Sequence, residues 1–319
     1  MRPSLGSRDA QAVVRSAVTT VWLPYPDAVE RMGGLPAGMT AEVYDGSSAV
    51  PDSRDHVEFY VLPYLQGIGP ARLMGQLPRL RVAQTLTAGV DDVRPLVPDG
   101  VILCNAKGVH DASTAELALA LTLASLRGIP DFVREAPRWD GRRRDALADR
   151  TVLIVGYGSV GAAVERRLAG FECNVLRVAR RARDGVFGFV DLPEVLPRAD
   201  VVVLSVPMTD ETRGLADAAF LAALPDSALL VNVARGPVVV TDDLLAEARS
   251  GRLRAALDVT DPEPLPPEHP LWALPNVLIS PHVGGNTSAF LPRAMGLVAE
   301  QLQRYAAGEP LRNVVSGSY

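Results

Sequence analysis

Val152-Leu153-Ile154-Val155-Gly156-Tyr157-Gly158-Ser159-Val160-Gly161 runs from a continuous apolar segment into a Gly-x-Gly-x-x-Gly turn, and residues 162–168 carry on with helical spacing. Four apolar residues in a row suit a strand buried on both faces. In such a strand–turn–helix unit the first glycine permits a tight turn. The second lets the backbone come close to a pyrophosphate, and the third lets the helix pack onto the strand. The helix start offers N–H groups and the positive end of its dipole to an anion. The segment is expected to bind a dinucleotide through Gly156, Tyr157, Gly158, Ser159, Val160 and Gly161.

Buried-type strands follow in series at residues 175–178, 201–204, 229–233, 255–259 and 277–280, with helical stretches between most of them. That alternation means a parallel sheet covered on both sides. Toward the N-terminus, residues 18–23, 57–62, 80–86 and 101–104 are short, rich in β-branched and aromatic types and bounded by Pro, Gly or Asp, so they read as strands. Residues 27–32 and 73–77 read as helices between them. Ser113 followed by Glu116 fits a capping box opening a long helix that is apolar nearly all round. Residues 297–307 suit a last helix ending in Gly308.

With 319 residues the chain has room for about two domains. A net charge of −5 argues against a nucleic-acid partner, and no apolar run is long enough to span a membrane. Residues 1–16 read as a polar leader without a signal-peptide core, which makes the cytoplasm the default location. The two cysteines, Cys104 and Cys173, lack CxxC partners, and the four histidines lack ligand spacing, so neither a disulfide nor a metal is expected. His110 reads as a loop histidine and His269 as solvent-facing. Arg134, Arg138, Arg142, Arg143, Arg144 and Arg150 read as a solvated face, with a phosphate site as the alternative.

The residues after the second strand of the nucleotide unit bear on the cofactor. NAD binders place an acid there to bond the ribose hydroxyls. This chain has Ala179-Arg180-Arg181, and arginine forks suit a 2′-phosphate. NADP(H) is favoured over NAD(H); the alternative is that the arginines face solvent.

Arg235, Asp258, Glu263 and His282 all fall at or just beyond strand ends, where open parallel sheets hold ligands. The segments Asn232-Val233-Ala234-Arg235-Gly236-Pro237, Asp258-Val259-Thr260-Asp261-Pro262-Glu263-Pro264 and Ser280-Pro281-His282-Val283-Gly284-Gly285 carry them. From about Leu80 onward the chain resembles the D-isomer-specific 2-hydroxyacid dehydrogenases, whose signature regions these segments match in order. Thr87-Ala88-Gly89-Val90-Asp91 resembles that family's substrate-carboxylate loop. Residues 1–79 match only in layout.

The resemblance implies two Rossmann-like α/β domains with parallel sheets and a cleft between them. The substrate domain would be discontinuous, 1–111 and 290–319, with a nucleotide domain of 112–289. His282 would be the general acid in keto-acid reduction and the base in reverse. Glu263 would pair with it and favour its protonated form. Arg235 would bind the substrate carboxylate and polarise the carbonyl, aided by backbone N–H groups of Ala88 and Gly89. Asp258 would contact the nicotinamide carboxamide. Val206, Pro207, Thr212, Val233, Ala234, Gly284 and Gly285 would line the cofactor, Thr114 would face the nicotinamide side, and Tyr64 is a candidate for the substrate pocket. The implied activity is NADP(H)-dependent interconversion of a small 2-keto acid, such as glyoxylate or hydroxypyruvate, and its D-2-hydroxy acid, by a homodimer. Phosphite-type dehydrogenases and a cofactor-sensing corepressor are the rival readings. Two departures stand out. Leu147-Ala148-Asp149-Arg150 replaces a Gly-Lys pair, which affects a turn, and Asp92 replaces a histidine.

Overall fold

The computed structural model describes residues 18–139 and 141–316. The leader and the location inferred from it fall on residues outside that range. Strands β1 (Thr19–Leu23), β2 (Met39–Val43), β3 (Val57–Val61), β4 (Val82–Gln84) and β5 (Ile102–Cys104) form one sheet in the order β2-β1-β3-β4-β5. Strands β6 (Thr151–Val155), β7 (Asn174–Val178), β8 (Val201–Leu204), β9 (Leu229–Asn232), β10 (Arg254–Leu257) and β11 (Val277–Ile279) form a second, ordered β11-β10-β9-β8-β6-β7. Every strand pairing is parallel.

The two-residue period of a strand explains both cores. In β6, Leu153 and Val155 enter one cluster with Leu204, Leu230 and Leu257. Val152 and Ile154 enter the opposite one with Val203, Val231 and the buried face of the Asp111–Arg127 helix. The first sheet divides likewise. Val21, Phe59 and Val61 pack under the Phe290–Ala307 helix, while Trp22, Tyr60 and Met74 fill the other side. The chain's last helix therefore completes the core of its first sheet.

Three expectations need correction, and one strand lies outside the apolar runs read from the sequence. The long helix begins at Asp111 with His110 at its N-cap, so Ser113 and Glu116 make no capping box. Ser113 Oγ instead shares a 2.8 Å hydrogen bond with Thr287 Oγ1, and Glu116 is exposed. The last helix starts at Phe290, where Pro292 sits within the first turn and removes no intrahelical bond. Strand β2 holds no apolar run: Met39-Thr40-Ala41-Glu42-Val43 alternates apolar with polar residues, and Met39 and Ala41 turn toward the core of a largely exposed edge strand. The arginine run is only partly a solvated face. Arg150 bonds Asp200 at 2.9 Å, and Arg144 bonds Asp131 at 3.0 Å beside a cavity of about 350 Å³ that Arg134, Arg143 and Arg254 also line. Asp149 takes φ +63°, the left-handed conformation that a glycine would adopt without strain.

Among the described residues no helix is long and apolar enough to cross a membrane. Leu230 is fully buried in central strand β9. Leu230→Ala should cost about 2–5 kcal/mol of stability in urea unfolding, the usual range for emptying such a site. A loss under about 1 kcal/mol would show that the second sheet is loosely packed there.

Candidate active site

Strand order reverses between β6 and β8, and such a switch point opens a crevice at the carboxyl ends. Gly156 sits there with φ +104°; a Cβ on it would lie 2.6 Å from the Ser205 and Val206 backbone. A Cβ on Gly161 would lie 2.6 Å from Gly156 O. A Cβ on Gly158 meets nothing within 4 Å. The loop is thus closed against the protein at its first and third glycines and open at its second. No side chain caps the Ser159–Leu168 helix that follows. This cradle fits a dinucleotide pyrophosphate, with the N–H groups of Ser159 and Val160 as the donors that would hold it, since Gly158 N–H already donates to Gly156 O at 2.7 Å.

At the end of β7, Ala179 is buried and Arg180 and Arg181 are exposed. Arg183 turns back on the loop: its Nη2 donates to Tyr157 O at 2.7 Å, and its guanidinium lies 5.7 Å from the Tyr157 ring centre. Arg177 covers the same ring at 5.8 Å while bonding Glu165. Sequence reasoning stopped at Arg181 and missed Arg183, although the run Arg180-Arg181-Ala182-Arg183 contains it. Val206, Val233 and Ala234 are buried and Pro207 is exposed. Thr212 shapes its loop, since its Oγ1 donates to Pro207 O at 2.6 Å and accepts from Thr209 N at 2.8 Å.

The reacting groups come from loops after β4, β9, β10 and β11. Asn232, 1% exposed, turns the chain after β9: its Oδ1 accepts from Ala234 N and its Nδ2 donates to Arg235 O, both at 3.0 Å. Arg235 then reaches across to the first sheet's loop. Its Nε donates to Asp91 Oδ2 at 3.2 Å and its Nη1 to Ala234 O at 2.8 Å. A Cβ on Gly89 would fall on the guanidinium, so only glycine lets the arginine lie there. Asn105 Nδ2 holds that loop by donating to Ala88 O at 2.9 Å.

Asp258 is 3% exposed, and its carboxylate accepts from Ser280 Oγ at 2.7 Å and from the N–H groups of Val283 and Gly284 at 2.9 Å. It orders the loop that carries His282. A Cβ on Gly284 would lie 2.8 Å from Asp258 Oδ2 and 3.6 Å from Thr114 Cα, so the structure brings those three residues together. His282 itself takes φ +51°, an uncommon conformation for a side-chain-bearing residue, with its N–H on Asp258 O at 2.8 Å. Its Nδ1 meets Glu263 Oε1 at 2.5 Å. That hydrogen bond, aided by the charges of His282 and Arg235, holds the Glu263 carboxyl below the usual carboxylate range.

Two histidine readings change. His110 is 8% exposed and bridges the two sheets' loops, with Nε2 at 2.8 Å from Leu86 O and Nδ1 at 3.2 Å from Gly285 O. Gly285 has no room for a Cβ beside that ring. His269 is half-buried, and its Nδ1 accepts from Leu271 N at 3.3 Å. Tyr64 stacks on Phe290 at 4.0 Å between ring centres and faces His110 at 5.7 Å, so it stands on a shared wall of rings.

The model of the family described as D-isomer specific 2-hydroxyacid dehydrogenase, NAD binding domain, matches residues 119–284. A glyoxylate reductase of Thermofilum pendens is 33% identical over 75% of this chain and 76% of its own length. A D-3-phosphoglycerate dehydrogenase of Methanocaldococcus jannaschii is 34% identical over 75% of this chain but only 48% of its own. Among solved structures, an NADPH-dependent glyoxylate/hydroxypyruvate reductase of Sinorhizobium meliloti, in complex with NADP and sulfate, superposes with a TM-score of 0.79. It is 29% identical and covers 93% of this chain and 98% of that one.

The Glu263–His282 contact sets a pH dependence. Because the Glu263 shift is downward, the ion pair survives to more acid pH than an ordinary glutamate would allow. Glu263→Gln puts a group that does not titrate in place of that carboxylate, so the acid limb that protonation of Glu263 imposes on activity should be lost. An unchanged pH–rate profile in Glu263→Gln would uncouple the two residues.

Proposed function

The chain belongs to the D-isomer-specific 2-hydroxyacid dehydrogenases, and from that premise we propose that it reduces a small 2-keto acid, glyoxylate or hydroxypyruvate, with NADPH preferred over NADH. The observation that carries the reading is the His282–Glu263 pair set beside an arginine anchored on the opposite sheet's loop. The likeness to the NADPH-dependent Sinorhizobium meliloti reductase supports the cofactor and substrate class. Ala179 in place of an acid, followed by Arg180 and Arg181, supports the 2′-phosphate.

When bound, the dihydronicotinamide supplies a hydride to the substrate's carbonyl carbon. This chain's residues do the rest. Arg235 binds the carboxylate and draws electron density from the carbonyl through its planar fork. Gly89 and Ala88 form the floor against which the carboxylate is held. His282 has Nδ1 engaged by Glu263, so Nε2 is the nitrogen that gives its proton to the carbonyl oxygen. Glu263 keeps the ring oriented and compensates its positive charge. Asp258 acts through the 280–284 loop, which it holds in place, and its position beside Gly284 and Thr114 suits the carboxamide end of the cofactor. The substrate domain, 1–111 and 290–319, closes on the nucleotide domain, 112–289, about the two chain crossings at 111–112 and 289–290.

A panel of 2-keto acids assayed with both cofactors tests the reading. Glyoxylate and hydroxypyruvate should lead, with NADPH favoured about tens-fold or more in kcat/KM. Phosphite oxidation, or 3-phosphohydroxypyruvate as the best substrate, would overturn the substrate class. His282→Gln should lower kcat about a hundredfold or more while cofactor binding changes little. Near-normal turnover would remove His282 from the proton transfer.

The assembly proposed is a homodimer. Ile129, Phe132, Val133 and Trp139 lie close together in sequence after the long helix and are 46%, 44%, 75% and 98% exposed. An apolar group of that kind marks an interaction surface. Trp139→Glu should shift the mass measured by light scattering from dimer toward monomer. A monomeric wild-type protein would refute the assembly.

A further inference from the structure

Arg180 leaves the carboxyl end of β7, and its Nη2 donates to Glu211 Oε1 at 2.5 Å. Both side chains are about half exposed, at 55% and 51%. Glu211 belongs to the short loop after β8, and that loop is fixed by the Thr212 contacts to Pro207 and Thr209. The same loop begins at Val206, whose backbone N would lie 2.6 Å from a Cβ on Gly156. The carboxylate is therefore presented from a segment anchored to the dinucleotide turn. The neighbouring cations differ: Arg183 is turned onto Tyr157, and Arg181 is exposed.

We infer that Glu211 is a specificity-determining residue: it occupies the Arg180 guanidinium in the place of a 2′-phosphate and so restrains the preference for NADP(H). The inference rests on the NADP(H) reading above. A guanidinium fork binds a carboxylate or a phosphate with the same donors. It cannot give both its full strength, and a dianionic phosphate arriving beside Glu211 meets a like charge. A cofactor with only a ribose hydroxyl there leaves the Arg180–Glu211 pair undisturbed. Since exposed ion pairs are weak, the exchange is easy and the restraint is graded.

Calorimetric binding at low salt of 2′,5′-ADP and 5′-AMP, the two halves that differ only by the phosphate, tests this without turnover. The proteins are the wild type, Glu211→Gln, Arg180→Ala and the double variant. Glu211→Gln should tighten 2′,5′-ADP about two- to fivefold and leave 5′-AMP unchanged. The gain should vanish in the Arg180→Ala background. Three results overturn the inference: 2′,5′-ADP bound no tighter by Glu211→Gln, both ligands tightened alike, or the gain kept without Arg180. Failure of the NADP(H) reading shows separately, as a wild type that binds 2′,5′-ADP no better than 5′-AMP. If Glu211→Gln then raises the ratio, the restraint by Glu211 stands.

Discussion

Asp258 lies buried at the end of β10, and its two carboxylate oxygens take one hydroxyl and two backbone N–H groups from the loop after β11. Hydrogen bonds to a charged acceptor are worth about 1.5–3 kcal/mol each. Holding a residue such as His282 at positive φ costs about 1–3 kcal/mol. The carboxylate therefore offsets the strain that aims the imidazole at Glu263. Gly284 follows from the same constraint, because any side chain there would strike the carboxylate. The 280–284 loop is shaped by one buried charge more than by its own propensities.

The second organising element is the seam between the sheets. Arg235 comes from the second sheet, yet its Nε partner, Asp91, and the glycine beneath it belong to the first. His110 ties Leu86 of one side to Gly285 of the other, and Ser113 meets Thr287 close by. The guanidinium is held from both sides of the seam, by Ala234 O of its own loop and by Asp91 of the other.

Much of this was legible in the sequence because strands of the second sheet are buried on both faces. Their uninterrupted Val, Leu and Ile runs mark themselves, and the glycine loop and the positions of Arg235, Glu263 and His282 followed from strand ends. The edge strand Met39–Val43 has no such run, and its signal is only a five-residue alternation that turns Met39 and Ala41 inward. Ser113 and Glu116 misled because the helix already starts after His110, and because Thr287, 174 residues away, takes the Ser113 hydroxyl. Arg183 as a partner of the nucleotide turn and Glu211 as the partner of Arg180 were not legible, because a side chain's direction out of a loop depends on tertiary neighbours. His110 looked ordinary for the same reason: its two carbonyl partners lie 24 and 175 residues away.

The Phe290–Ala307 helix sets an order on synthesis. Val21, Phe59 and Val61, near the start of the chain, wait for Phe290, Met295 and Val298 to cover them. The second sheet draws its strands from residues 151–279 and is fully translated before that helix leaves the ribosome. Domains tend to fold as units during translation, N-terminal parts first. Here the nucleotide-cradling half can become native while the earlier-made half still shows one apolar face of its sheet. For that interval the nascent chain presents a surface suited to a chaperone, and a message cut short before residue 290 yields a half-finished protein with that surface permanently bare.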